Sequence, residues 1–256
     1  MKLHGMTEAN EGILVAEAPA RGNASGRADM TEERMPFSVK IVRSEEELGK
    51  AVEIRHSAYA RHVPAVAALL ESSESLDHEE GSVVLLAESK LDGSPLGTMR
   101  IQTNRYRKLA LEGTVELPDW LQGKSLAEAT RLGISEGRVG RIVKTMLFKA
   151  FFQYCQLADI EWMVITARSP LDRQYDALLF KDVFPGAGFI PMRHVGNIPH
   201  RVLALKVASV EPSWASVQHP LYKFFFHTYH PDLDLTDQDA SFPIDVNRQE
   251  DAHRRI

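Results

Sequence analysis

One stretch of this chain, Leu126–Ala150 (LAEATRLGISEGRVGRIVKTMLFKA), constrains the fold more than any other. It reads as a buried strand over 127–134, a glycine-flanked turn over 135–140 and a long basic helix starting near Arg138. The first N–H groups of a helix have no partner inside it, so strand, glycine turn and helix N-terminus together make an anion- or oxyanion-binding geometry. Two chemical signals share the segment: Glu128-x-x-Arg131 on the strand and Gly133-x-Ser135-x-Gly137 across the turn. Glu128 and Arg131 are three apart and would face opposite sides of a regular strand. Either a bulge realigns them, or one lines a cleft while the other pairs behind the sheet.

The helix after the turn is amphipathic. Val139, Ile142, Val143, Met146, Leu147, Ala150 and Tyr154 form its apolar stripe. Arg138, Arg141, Lys144 and Lys149 lie on the other side, next to Phe148 and Phe152. Basic charge beside exposed aromatics suits an acidic partner; alternatively a C-terminal helix covers both phenylalanines. Cys155, on the helix edge, is the chain's one cysteine. An internal disulfide is therefore impossible, which fits a reducing compartment.

Residues 1–34 lack sustained periodicity and read as a flexible tail, 35–232 as a single domain and 233–256 as a polar tail. Within the domain, Phe37–Val42 reads as a strand and Ser44-Glu-Glu-Glu47 as a capping box. The helix it starts puts Leu48, Val52, Arg55 and Tyr59 on one stripe, so Arg55 points toward core and an acid must meet it. Asp77 and Glu128 are the candidates. Ser82–Ala87 suits a strand covered on both faces. After an Asp-Gly turn, Leu96–Thr103 alternates, with Thr98, Arg100 and Gln102 along one face: a lined cleft or a solvent-facing stripe. Further along come a strand over 161–167, a helix over 170–180, a strand over 201–207 and an aromatic helix within 212–229. A net charge of −5 disfavours a globally basic nucleic-acid binder. No apolar run approaches the roughly 20 residues of a membrane span, and the N-terminus lacks a secretory apolar core. These features place the chain in the cytoplasm.

Gly133-Ile-Ser-Glu-Gly137 matches a nucleophile elbow, and Asp172 with His194 or His200 follows in hydrolase order. Against a serine hydrolase using Ser135, little crossover helix precedes the turn and there is no HGGG-type loop. Metal-site spacing is missing too: His227 and His230 have no HExxH or CxxC beside them, and no dinucleotide fingerprint occurs.

The order of elements, with the glycine turn between strand and long helix, resembles the mixed α/β fold of the Gcn5-related N-acyltransferases, a central twisted sheet with splayed strands flanked by helices. Ordinary members carry Gln/Arg-x-x-Gly-x-Gly/Ala for the coenzyme A pyrophosphate; Arg138-Val-Gly-Arg-Ile keeps only Gly140. Arg55 with Tyr59, then Glu74 and Asp77, Gly97-Thr-Met-Arg100, and Glu128-Ala-Thr-Arg131 follow the order seen in acyl-homoserine-lactone synthases. The sequence also resembles the related long-chain N-acyl amino acid synthases, including N-acyltyrosine synthases. His219–Asp232 favours the second group, and Ala65, where the lactone synthases have tryptophan, counts against a lactone.

The resemblance implies transfer of a fatty acyl group from acyl carrier protein to an amino acid amine, with coenzyme A as a possible donor and no resident cofactor or metal. Glu128 would be the base. Arg100 or Arg131 would bind the acceptor carboxylate, Arg55 with Asp77 would brace the wall, and Arg138, Arg141, Lys144 and Lys149 would meet the carrier protein. Ser135 becomes a turn residue that caps the helix.

Overall fold

The computed structural model describes residues 30–236. Its first half runs β1 (Thr31–Glu32), β2 (Phe37–Ile41), α1 (Glu45–Ala60), α2 (Pro64–Ala67), β3 (Ser82–Ser89), β4 (Pro95–Thr103), β5 (Leu126–Ile134) and α3 (Gly137–Leu157). Then follow β6 (Trp162–Ala167), α4 (Asp172–Ala177), β7 (Lys181–Asp182), β8 (Ile190–Met192), β9 (Ile198–Lys206), α5 (Val210–Ser216), α6 (Tyr222–Phe226), β10 (Thr228–Tyr229) and β11 (Leu233–Asp234). Of the expected tails over 1–34 and 233–256, residues 1–29 and 237–256 lie outside the described residues. Strand pairing runs past the boundaries drawn from sequence: β1 pairs with β10, and β11 with β2.

The main sheet is mixed, in the order β11-β2-β3-β4-β5-β6-β9-β7, with β8 also on β9. β5 and β6 are parallel, as a strand–helix–strand crossover through α3 requires. Side-chain alternation then sorts the faces. Leu85, Ala87, Met99, Ile101 and Ala127 pack with Val143, Met146 and Leu147 of α3. Val84 and Leu86 face Leu48, Ala51 and Val52 of α1. Farther along that second face, Leu109, Leu111 and Leu121 from the irregular stretch before β5 close over Val164 and Val202. Each fully buried Val, Leu, Ile or Met among these contributes roughly 1.5–3 kcal/mol against exposure.

Ser44 caps α1 as expected: its Oγ accepts the Glu47 N–H at 3.2 Å, while the Glu47 carboxylate takes the Arg43 N–H at 2.7 Å. α1 lies close on β5, because a Cβ at Gly133 would sit 2.9 Å from the Arg55 Cα. Only glycine allows that approach.

Phe148 and Phe152 take the covered alternative: Phe148 stacks edge-on against Tyr175 of α4 at 5.4 Å, and Phe152 against Phe226 of α6 at 5.6 Å. Other local expectations change. Val139 and Ile142, expected in the stripe, are instead exposed, while Gly140 and Val143 face the sheet. The helix expected over 170–180 shrinks to α4. The aromatic helix within 212–229 is the short α6, and a separate helix, α5, precedes it, with Gln218 at φ 51° between them.

Candidate active site

The site begins with an extra residue in β5. Thr98 pairs with Gly133, but Arg100 pairs with Thr130, so two steps along β4 span three along β5. Arg131, at φ 55°, occupies this bulge. A bulge shifts side-chain alternation by one and bends its strand. The Glu128–Arg131 ambiguity is thereby resolved: Glu128, Thr130 and Arg131 all turn toward the α1 side, where the Arg100 Nε donates to the Thr130 Oγ1 at 3.2 Å. Thr98, Arg100 and Gln102 are buried, so the polar stripe of β4 is not solvent-facing.

Three arginines meet two carboxylates on this face. Arg55 donates to both Asp77 oxygens, at 2.8 and 2.9 Å. Arg131 grips Glu74 with Nε at 2.6 Å and Nη2 at 2.7 Å. The Arg100 Nη1 bridges both acids, 3.1 Å from Glu74 and 3.2 Å from Asp77. Burial pushes both carboxyls up, but the arginines beside them override it and hold them below the ordinary carboxylate range. Of the two candidates for Arg55, Asp77 is its partner. Arg100 is fully enclosed in this wall, whereas Arg131 reaches the cleft described next and its Nη1 has no hydrogen-bond partner. Sequence reasoning set Glu74 beside Asp77 in the motif order of the lactone synthases but did not name it as a site residue; its spacing three before Asp77 was the available signal. The Glu74 N–H binds the Asp77 carboxylate at 2.8 Å, which folds the pair inward.

β5 and β6 are paired only from Leu126–Trp162 to Ala129–Ile165. Beyond that the bent β5 leaves β6, and a cavity of about 310 Å³ passes between them. Thr130, Arg131 and Ile134 line one wall, Thr166 and Arg168 the other, with Tyr59 and His194 toward α1 and Lys144 and Tyr175 toward α3. Arg61, Arg131, Arg141, Lys144 and Arg168 all line it, and no aspartate or glutamate does. In a chain of net charge −5, a carboxylate-free basic cleft favours an anionic ligand. Apolar side chains, among them Val63, Leu132, Phe148 and Leu171, complete the lining.

Glu128 lies one layer behind this wall, fully buried. One oxygen accepts the Leu111 N–H at 3.1 Å; the other, Oε1, has no hydrogen-bond partner and lies 3.8 Å from the His194 Nε2. Burial raises its carboxyl to about 7, against the Leu111 and Ala110 N–H groups and the charges of Arg100 and Arg131.

The expected docking cations separate. Arg138 and Arg141 are exposed at the start of α3, beside exposed Val139 and Ile142. Lys144 is half-buried and donates to Gln174 at 2.5 Å. Lys149 is no surface residue: it is 1% exposed and donates to the Phe224 and Thr228 carbonyls at 2.7 and 2.6 Å, with the His230 Nδ1 at 2.9 Å. Helical spacing put Lys149 on the outer face, and α6 folds over that face.

Ser135 lines the cavity, yet its Oγ has no hydrogen-bond partner, so no base activates it. Asp172 pairs with Arg201, and the His200 Nδ1 with the Ile198 carbonyl, so the hydrolase triad does not assemble. Nor does Ser135 cap α3: Glu136 occupies that position without a side-chain bond. Among the described residues no group of three His, Cys, Asp or Glu side chains could hold a metal, and no helix is long and apolar enough to cross a membrane.

No family model and no curated protein sequence matches the chain. Solved structures do. FeeM, an N-acyl amino acid synthase from uncultured soil microbes, superposes with a TM-score of 0.57 at 21% identity, over 73% of this chain and 97% of that one. BjaI, a coenzyme A-dependent acyl-homoserine lactone synthase, gives 0.49 at 13% identity, over 76% and 93%. The lactone synthase LasI gives 0.46 at 16%, over 67% and 90%. At such identity the first likeness shows the fold, a mixed α/β sheet of the Gcn5-related N-acyltransferase kind.

Proposed function

We propose that this protein is an N-acyltransferase that moves a long-chain acyl group from a carrier-protein thioester to the amine of an amino acid. The observation that carries the reading is the cleft between β5 and β6: it passes through the sheet, is lined by five cations and no carboxylate, and has apolar walls between them. A phosphopantetheine thioester carries a phosphate and an α-amino acid a carboxylate, both of which a cation can hold, and a fatty chain needs apolar wall. The guanidinium of Arg131 in the cleft wall supports a carboxylate contact for the acceptor. Exposed Arg138, Val139, Arg141 and Ile142 supply a basic, partly apolar patch for an acidic carrier protein. The likeness to FeeM, itself an N-acyl amino acid synthase, adds to this reading.

The reaction needs no covalent enzyme intermediate. The amine attacks the thioester carbonyl, N–H groups at the splayed strand stabilise the oxyanion, and the buried Glu128 is the ultimate proton acceptor. The test is to incubate the protein with long-chain acyl carrier protein and mixed amino acids and search for N-acyl products by mass spectrometry. Free fatty acid without N-acyl product, abolished in Ser135→Ala, would overturn the reading in favour of a hydrolase.

A further inference from the structure

Most of the cations that line the cleft are already engaged. Arg131 donates to the Glu74 carboxylate and to the His194 carbonyl, and its Nη1 is closed off from solvent. Arg61 donates to the Ile134 carbonyl at 2.5 Å and pairs with Glu136 at 3.3 Å. Lys144 donates to Gln174. Arg168 differs: half-buried in the β6 wall, its guanidinium has no hydrogen-bond or ion-pair partner among the described residues. Its carbonyl accepts the Asp172 N–H at 3.1 Å, which ties the backbone that carries it to the start of α4. A guanidinium partly withdrawn from water favours a counter-charge, and no carboxylate of the described residues lines the cleft to supply one.

The sheet sorts these cations by face. Met163, Ile165 and Ala167 of β6 pack in the core with α3, so alternation turns Thr166 and Arg168 to the α1 side. On that side the Thr166 Oγ1 lies 3.3 Å from the His194 Nε2. Burial first, and then the charge of Arg168, hold the His200 ring below its ordinary range against the Ile198 carbonyl, which sets Arg168 beside His200. Arg141 and Lys144 stand instead on α3, next to exposed Arg138, Val139 and Ile142.

We propose that Arg168 is the principal binding residue for the carboxylate of the acceptor amino acid, with Arg131 facing it from the β5 wall. The inference rests on the acyltransferase reading. A carrier arm that arrives over α3 meets Arg141 and Lys144 with its phosphate, which leaves Arg168 to the reactant entering from the α1 side. A guanidinium fork matches a carboxylate bidentately. The α-amine is bonded to the carbon that bears this carboxylate, so an acceptor held on the β6 wall keeps its amine in the gap between β5 and β6. No protein group loses a partner when Arg168 is removed, so Arg168→Met should fold as the wild type does.

The test compares acid with amide, once without turnover and once with it. N-Dodecanoylglycine carries an acyl chain and a carboxylate; N-dodecanoylglycinamide lacks the charge alone. By isothermal titration calorimetry the wild-type protein should bind the acid at least about tenfold tighter than the amide, and Arg168→Met should erase that preference. Arg168→Lys, which keeps the charge and loses the fork, should retain only part of it. A preference that survives in Arg168→Met, or is absent from the wild type, overturns the proposal. Weaker phosphopantetheine binding by Arg168→Met, with the acid–amide preference intact, overturns it by giving Arg168 to the donor phosphate. With long-chain acyl carrier protein and amino acids, Arg168→Met should raise the acceptor KM about tenfold or more while the thioester KM changes little. An acceptor KM that does not move overturns the proposal. A wild type that makes no N-acyl product, yet shows the Arg168-dependent preference for the acid, overturns the acyltransferase reading and leaves the carboxylate site standing.

Discussion

Arg131 and Glu74, 57 residues apart in sequence, are joined by two hydrogen bonds of 2.6 and 2.7 Å on the α1 side of the sheet. The pair exists because a bulge turns Arg131 out of strand alternation, and the same bulge bends β5 away from β6. One backbone irregularity thus builds the ion network and opens the cavity. Around it, Arg55, Arg100 and Arg131 face Glu74 and Asp77, a surplus of one positive charge that an ionised Glu128 would offset.

The burial of Glu128 costs stability once it is ionised. Its folded-state pKa of about 7 lies above the unfolded carboxylate value, so the folded state holds the proton longer. Stability is therefore lost as pH rises from about 4.5 to 7, by on the order of 3 kcal/mol once the group is charged. Glu128→Gln should flatten this slope in urea titrations at pH 5 and pH 8 while turnover falls. An unchanged slope would mean that Glu128 is not a strained buried acid.

Arg131→Lys keeps a charge but not the planar fork. It should raise the KM for the acceptor amino acid at least tenfold, on the order of 1.4 kcal/mol of binding, with the thioester KM little changed. Arg131→Met, which leaves the Glu74 carboxylate short of its main partner, should cost about 3–5 kcal/mol of stability by denaturant midpoint. If Arg131→Lys binds acceptor normally, the acceptor carboxylate sits elsewhere.

Charge reversal at Arg138 and Arg141 together should weaken carrier-protein binding tenfold or more, about 1.4 kcal/mol or above. The wild-type affinity should also fall as salt rises. Surface plasmon resonance with acyl carrier protein at low and high ionic strength measures both. A salt-independent affinity would remove the docking role from α3.

Lys149 holds the C-terminal segment. Lys149→Met leaves the Phe224 and Thr228 carbonyls and the His230 ring without their donor. A buried unmet acceptor costs about 1–3 kcal/mol, so the thermal midpoint should drop by several degrees with carrier-protein affinity retained. Loss of affinity without loss of stability would restore Lys149 to the docking surface.

The fold was readable where physics is local. The capping box at Ser44, the continuous apolar run that became β3, the alternation of β4 and the strand–turn–helix of β5 and α3 follow from side-chain period and backbone preference. Those periods also put Arg55 on the core stripe of α1 and so required a buried acid. Sequence alone could not choose between Asp77 and Glu128, leave Phe148 and Lys149 open or covered, or place His194 in front of Glu128. Each of those depends on which distant segment lies on a given face. Spacing in Glu128-x-x-Arg131 even pointed the wrong way for a regular strand, and only pairing with β4 revealed the extra residue. Alternation and capping are fixed within a few residues of chain, whereas ion pairing and desolvation are set by the three-dimensional neighbours that the folded sheet brings together.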